Sequence, residues 1–330
     1  MLPALPLAQY RFLFQAKDPV SLPAFADPLW RSVFGLALHR LSCIGAGTDC
    51  RTCSLRFRCD FFLLTRSGIP PERDQEDSRT GLATVMRDLP VPLVFHSRVF
   101  DHSLSIPAGA TFMAGMVLAG HGNHHLRAVI RAMELTGDLG IGRKRARFRL
   151  LETSRCESCS YSTLIQADGS HPPPPAPEPI PPVPARVRVT LTTPWLLPDT
   201  LASRSIDTPE VLVSRFLTQI IRRVSLFQEC YTGQPLETDF HHLKEQAAGV
   251  PLPDVEITGN HGYRPGKRSK SFVAVRGTFV LDLTGAPELW PFLLLGRLLH
   301  TGKQAAHGYG RYRLTGLDVS NRREVRACTS

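Results

Sequence analysis

The sequence predicts an α+β protein made of two βαββαβ halves in tandem, and three observations carry that prediction. Strand-period and helix-period apolar patterns follow one another in the same order twice. A proline-rich stretch, His171 to Pro184, lies between the two runs, and nine of the thirteen residues from Pro172 onwards are proline. Each run also closes alike: Gly140-Ile141-Gly142 leads into Arg147-Phe148-Arg149-Leu150, and Gly308-Tyr309-Gly310 leads into Arg311-Tyr312-Arg313-Leu314. Self-similarity of this kind marks a duplicated unit. The order βαββαβ is that of the ferredoxin-like fold.

Tyr10 to Ala16 alternates apolar and polar residues and is expected as the first strand. Pro28 to Leu41 places Leu29, Val33, Leu36, Ala37 and Leu41 at helical spacing. After an irregular cysteine-bearing insert, Pro92 to Val99 and Thr111 to Ala119 read as two strands joined through Pro107-Ala108-Gly109. His124 to Leu135 is a helix, Gly137 to Gly142 a loop, and Arg147 to Glu152 the last strand. The second half repeats the order: Val187 to Thr193 as strand, Pro209 to Tyr231 as helix, Val255 to Thr258 and Phe272 to Leu283 as strands, Pro287 to Leu299 as helix, and Arg311 to Leu317 as strand. A run of prolines forms neither helix nor central strand and acts as a stiff spacer. The expected organisation is therefore an N-terminal domain over 1–167, a linker over 168–185 and a C-terminal domain over 186–330.

At 330 residues, 42% hydrophobic and 21% charged, the chain can fill two cores and is not disordered. A formal net charge of +10 points to a polyanionic partner. The charge is concentrated: no acid lies between Ile257 and Leu281, where Arg264, Lys267, Arg268, Lys270 and Arg276 occur, and Arg143, Lys144, Arg145, Arg147 and Arg149 crowd one loop and strand. Glycine pairs let backbone approach a ligand closely, and beside cations the expected ligand is a phosphate chain. Trp290 to Leu299 is too short to cross a bilayer and is interrupted by Arg297. The N-terminus lacks a secretory pattern, so a cytoplasmic location is expected, with no membrane partner.

In that compartment the eight cysteines are expected as metal ligands or free thiols. Cys43, Cys50, Cys53 and Cys59 are separated by six, two and five residues, a spacing that suits a tetrahedral structural zinc stapling the insert. Cys156 and Cys159 form a second two-residue gap, which binds metal or does not.

One segment narrows the reading. Leu295-Gly296-Arg297-Leu298-Leu299-His300-Thr301-Gly302-Lys303-Gln304-Ala305-Ala306-His307-Gly308-Tyr309-Gly310-Arg311-Tyr312 resembles the C-terminal motif of the repeat-cleaving CRISPR endoribonucleases, members of the RAMP superfamily with RRM-like domains. Leu29-Trp30-Arg31-Ser32-Val33-Phe34-Gly35-Leu36-Ala37-Leu38-His39-Arg40 is similar to that family's first helix. Leu139-Gly140-Ile141-Gly142-Arg143-Lys144-Arg145 resembles the loop closing its first domain. Ser32, where glycine is usual, and His307, where an apolar residue is usual, depart from the pattern.

The resemblance implies a metal-independent endoribonuclease that cuts CRISPR repeat RNA in precursor transcripts to give guide RNA, with no cofactor for catalysis. The 2′-hydroxyl attacks the adjacent phosphate and leaves a 2′,3′-cyclic phosphate and a 5′-hydroxyl. It implies RNA-backbone contacts at Lys303, His307, Gly308, Gly310 and Arg311, where a glycine turn presents amides and the side chains supply charge. It also implies RNA contacts by the hairpin carrying Tyr263, Arg264, Lys267, Arg268 and Lys270, with Arg143 and Lys144 as a basic flank. His39 on the first helix is the expected proton-transfer residue, and Arg31 and Arg40 the expected phosphate clamps. His241, His242, His300 and His307 are the alternatives. The second functional expectation is a non-catalytic RAMP subunit that binds guide RNA beside other subunits of a CRISPR effector complex.

Overall fold

The alternation of β1 (Leu7–Ala16) survives intact: Ala8, Tyr10, Phe12, Phe14 and Ala16 are buried, with partly exposed residues between them. The protein is described by a computed structural model, which covers residues 3–45, 49–50, 52–66, 90–157, 160–164, 173, 175–177, 179–198, 208–266 and 269–316. Phe14 stacks on Trp30 at 5.4 Å and meets Phe148 edge-on at 5.0 Å. Trp30, Phe34, Ala37 and Leu38 are the buried face of α1 (Asp27–Ser42), so this face of the sheet carries the helices.

Around β1, β5 (Thr111–Ala119) and β6 (Phe148–Glu157) pair antiparallel on either side. β3 (Leu93–Phe95) lies outside β5 and β7 (Ser160–Thr163) outside β6, giving the order β3-β5-β1-β6-β7. Without β7 this is the ferredoxin-like order. β2 (Val20–Leu22) and β4 (Leu104–Ile106) form a separate two-stranded ribbon that the sequence pattern does not announce. The described residues of the insert contribute a 3-10 turn, Arg56–Arg58, and a short helix, α2 (Asp60–Thr65).

α3 (Leu126–Leu139) packs beside α1. The pairing Leu7 with Ala119 and Leu93 with Leu118 puts the start of β1, the start of β3 and the end of β5 at one end of the sheet. α1 runs back towards that end and α3 departs from it. The last turn of α1 and the first turn of α3 are therefore neighbours, an arrangement used below.

The second half has the same plan: β8 (Arg186–Pro198), α4 (Pro209–Thr232), α5 (Phe240–Gly249), β9 (Asp254–Tyr263), β10 (Phe272–Asp282), α6 (Trp290–Leu299) and β11 (Tyr312–Gly316). The sheet order is β11-β8-β10-β9, again ferredoxin-like. Phe216 of α4 is fully buried against Trp195, Phe279 and Tyr312 at 5.4, 5.3 and 5.1 Å. Burying one such ring contributes up to about 3 kcal/mol. α6 is buried nearly all round, and Gly296 makes this possible, because a β-carbon there would meet Ile220 at 2.6 Å.

The chain forms two compact units. One comprises Ala4–Pro177 with Leu226–Gln234, the other Met1–Pro3, Glu178–Ser225 and Pro235–Ser330. Their division falls inside the proline run, whose described residues form no helix or strand. Pro173 O accepts from Arg155 Nη1 at 2.7 Å in the first unit, and Pro181 O from Trp290 Nε1 at 2.9 Å in the second. The end of α4 joins the first unit through Gln228, whose Oε1 accepts from Ala4 N at 3.1 Å, and through the buried Tyr231, whose hydroxyl donates to Pro90 O. Among the described residues no helix is long and apolar enough to cross a membrane.

Candidate nucleic-acid interface

In the second unit the glycine turn and the basic hairpin meet. The Tyr309 hydroxyl lies 3.2 Å from that of Tyr263, the last residue of β9, and the two rings sit edge to face at 6.2 Å. Tyr309 is buried; burial first, and then its bond to Tyr263, push its hydroxyl pKa far up, while Arg276 on β10 pulls the other way. Arg264, Lys270, Arg276 and Lys303 are exposed, and Tyr263, Arg311 and His307 half-buried. Lys267 and Arg268 lie outside the described residues.

The turn itself works differently from the expectation. Gly310 N–H donates to Pro194 O at 2.8 Å and Gly308 N–H to Ala305 O at 2.9 Å, so neither amide is offered to a phosphate. Gly308 O accepts from Thr193 Oγ1 at 2.8 Å, and Thr193 Oγ1 in turn accepts from Arg311 N–H at 2.9 Å. Gly302, Gly308 and Gly310 all have positive φ, near +79°, +86° and +69°. The glycines are required for backbone geometry, which leaves side chains as the phosphate-facing groups. Lys303 is held by its own backbone, whose N–H donates to Leu196 O at 3.0 Å.

His300 is fully buried beneath this turn. Burial above all, then Arg311 and Arg223, hold its imidazole well below the usual range, against a backbone hydrogen bond with Ala305. It is a neutral core residue and touches no surface. His241 and His242 sit on the exposed first turn of α5, capped by Asp239, and lie within 3.4 Å of Glu245 and 3.5 Å of Glu288 respectively.

The two glycine loops occupy the same connection but serve different ends of it. Gly140 terminates α3 with φ near +75°, and Ile141 bridges to Ala146 across a tight turn. Gly308 and Gly310 instead lead directly into β11. Arg143 and Lys144 are exposed at the tip of the first turn, whereas Arg147 and Arg149 bond to Asp18 and Gln15.

In the first unit, His39 is half-buried with its ring edge-on to Phe61 of α2 at 4.7 Å. Arg40 is exposed on the neighbouring face of α1. Arg31 turns inward: its Nη2 lies 3.5 Å from Thr65 O at the end of α2, and a β-carbon on Gly35 would sit 3.4 Å from its Nη1. Burial, and then the nearby Arg66, pull its pKa down to about 10. This places Arg31 as a support for the C-terminus of α2, where a cation faces the helix carbonyls, and not beside His39 as a surface phosphate clamp.

The four insert cysteines do not converge. Cys43 is exposed with Sγ 3.2 Å from Gly45 O, while Cys50 and Cys59 pack against the apolar core. Among the described residues no group of three or more His, Cys, Asp or Glu side chains could hold a metal ion, so the donors do not fit the expected zinc. The insert is anchored instead by Phe61 and Leu64 of α2, both buried. Cys156 is disulfide-bonded, and Cys159 lies outside the described residues.

With this geometry in hand, the family model described as AF_1859_N, N-terminal domain, matches residues 5–177, more than half of the chain. The protein belongs to the AF_1859_N family. No curated protein matches it. Among solved structures, a chain of a partial Cas6-RT-Cas1–Cas2 complex is similar with TM-score 0.51 at 12% identity, over 99% of this chain and 49% of that one. A chain of the Cas6-RT-Cas1–Cas2 complex is similar with the same score and identity, over 99% of this chain and 30% of that one. This AF_1859_N-family chain thus spans about half of the first and less of the second. Cas6 of Thermus thermophilus gives TM-score 0.46 at 12% identity, over 94% and 98% of the two chains. The likeness to the Cas6-containing chains is one of fold, and it agrees with the tandem ferredoxin-like architecture described above.

Sequence reasoning missed one arrangement in the AF_1859_N-family unit. His125, in the turn just before α3, has Nδ1 2.7 Å from Asp60 Oδ1 at the start of α2. His121 and His124 of the same turn are exposed and stacked at 5.7 Å. The run Gly120-His121-Gly122-Asn123-His124-His125 was visible as three histidines before a helix, but its partner lies 65 residues away in the insert.

Proposed function

We propose that the protein binds CRISPR repeat RNA and cleaves it without a catalytic metal, giving guide RNA. The observation that carries RNA binding is the junction of the acid-free stretch 257–281 with the glycine turn through Tyr263 and Tyr309, which gathers Arg264, Lys270, Arg276 and Lys303 as exposed cations. Flexible cations in this pattern suit an A-form backbone read by shape and phosphate contact. Arg143 and Lys144 form a further exposed pair on the first unit. The Cas6-containing chains that share the fold support the assignment to CRISPR RNA, and other CRISPR proteins are the proposed partners.

For cleavage, a 2′-oxygen attacks the adjacent phosphorus, the bond from phosphorus to the 5′-oxygen breaks, and the products carry a 2′,3′-cyclic phosphate and a 5′-hydroxyl. One proton must leave the 2′-hydroxyl and one must reach the 5′-oxygen. His39 is the proposed proton-transfer residue, half-buried yet at the helix end that borders the surface. Arg40 is exposed and available to the phosphate. The inward placement of Arg31 favours the second reading, a subunit that holds guide RNA without cutting it. Cleavage of repeat RNA by the unaltered chain decides between them, and His39→Ala tests the residue: its cleavage is expected to fall by roughly 10²-fold or more with affinity retained. Undiminished cleavage removes His39 from the chemistry.

A further inference from the structure

We propose that His125, oriented by Asp60, is a second proton-transfer residue of the RNA cleavage and acts as its general base; this rests on the endonuclease reading above. Two observations place it. The sheet register brings the last turn of α1 and the first turn of α3 to the same end of the first unit. The start of α2 then reaches both histidines with consecutive residues: Asp60 Oδ1 lies 2.7 Å from His125 Nδ1, and the Phe61 ring meets His39. A helix from the insert thus docks one side chain on each.

The Asp60 contact has a chemical consequence. Asp60 and His125 keep 40% and 27% of their side-chain surface exposed, so the pair borders solvent without being fully hydrated. With Asp60 ionised, Nδ1 carries the proton and donates it to the carboxylate, which leaves Nε2 as the acceptor. A carboxylate on the far nitrogen fixes the tautomer and stabilises the imidazolium once a proton is gained. His39 has a ring edge against Phe61 and no comparable carboxylate among its described contacts. α3 itself is seated by Leu126, Val129, Ala132 and Met133, so the contact that His125 makes is the one to Asp60 of α2.

The step balances with the two residues together. His125 Nε2 takes the proton of the 2′-hydroxyl as the 2′-oxygen bonds to phosphorus, and the bond to the 5′-oxygen breaks as that oxygen takes a proton from the His39 imidazolium. Exchange with water restores both. His121 and His124, on the same turn as His125, are the other titratable groups beside it and carry no assigned role.

The test uses the full chain, repeat RNA, and the same RNA with sulfur in place of the 5′-bridging oxygen at the cut. A thiolate leaves without a proton, so it bypasses the general acid only. His125→Gln, which keeps a donor towards Asp60, is expected to lower cleavage of both RNAs by roughly 10²-fold or more at unchanged affinity. His39→Ala is expected to be slow on ordinary RNA and restored on the sulfur RNA. Asp60→Asn, a positioning change, is expected to lower the rate constant without raising KM. Wild-type protein that does not cut at all overturns the endonuclease reading and this proposal together. Wild-type protein that cuts, with His125→Gln cutting equally well, overturns this proposal alone, as does restoration of His125→Gln by the sulfur RNA.

Discussion

Replacing Gly310 by Ala separates the two roles that its turn can have. Gly310 has φ near +69°, where a side chain costs about 1–2 kcal/mol, and a β-carbon would run into the Thr301 carbonyl. Relieving that overlap loosens Thr301 N–H to Gly310 O at 3.1 Å and Gly310 N–H to Pro194 O at 2.8 Å, each worth about 1 kcal/mol net. The total, about 3–4 kcal/mol, is a large share of the roughly 5–15 kcal/mol by which a domain is stable. Urea unfolding of Gly310→Ala should show its midpoint lowered by roughly 2 M for a slope of about 2 kcal/mol per M. RNA affinity, measured in buffer where the variant remains folded, should change little, because the amide already bonds to Pro194. An unchanged midpoint with RNA binding abolished would refute the structural role and return the turn amides to the phosphate.

Lys303→Ala is the converse: exposed, it should leave stability within about 0.5 kcal/mol, weaken RNA binding, and flatten the dependence of log affinity on log salt by roughly 0.7–0.9. The second unit should weaken in mild acid because His300 stays neutral when folded but protonates when unfolded. Its lowered folded pKa means that this contribution is present above the unfolded value, about 6.5, and is lost progressively as pH falls below it. His300→Asn, which tolerates the positive φ there, should reduce that loss in denaturation curves taken at pH 8 and pH 5. Arg31→Met removes a largely desolvated cation that meets a carbonyl and is repelled by Arg66, so stability should hold or rise and RNA cleavage stay within a few-fold. A hundredfold loss of cleavage in a folded Arg31→Met variant would restore Arg31 as a phosphate contact.

The architecture was legible because it rests on periodicity. Alternation in β1 survives folding unchanged and α1 forms where helical spacing places it, but its buried face is Trp30, Phe34, Ala37 and Leu38; of the expected Leu29, Val33, Leu36, Ala37 and Leu41 only Ala37 is fully buried, and Leu36 and Leu41 are exposed. What escaped was set by pairing at long range. Three-residue strands such as β2 and β4 carry too little pattern to announce themselves, and α2 is a single buried turn and a half inside an irregular insert. Cysteine spacing suggested zinc because it encodes ligand separation, yet the backbone directs Cys43 outward and Cys50 and Cys59 inward.

The candidate site divided along the same line. Basic residues in the acid-free stretch 257–281 were readable as a surface, and Arg264 and Lys270 there, like Lys303 beyond α6, are exposed. The glycine turn was read as presenting amides to phosphate; sequence reveals neither its positive φ angles nor that Pro194 and Ala305 accept those amides. Arg31 looked like a neighbour of His39 on one helix, but its guanidinium passes over Gly35 to Thr65 O at the end of α2. The Asp60 and His125 pair depends on where the insert folds back, which no local pattern encodes.

The most direct measurement is the end-group chemistry of repeat RNA incubated with the purified full chain in EDTA. Discrete fragments bearing a 2′,3′-cyclic phosphate and a 5′-hydroxyl are expected, with His39→Ala and His125→Gln each binding the RNA and cutting it far more slowly. Tight binding with no fragments, or fragments ending in a 3′-hydroxyl and a 5′-phosphate, would contradict the proposed metal-independent cleavage.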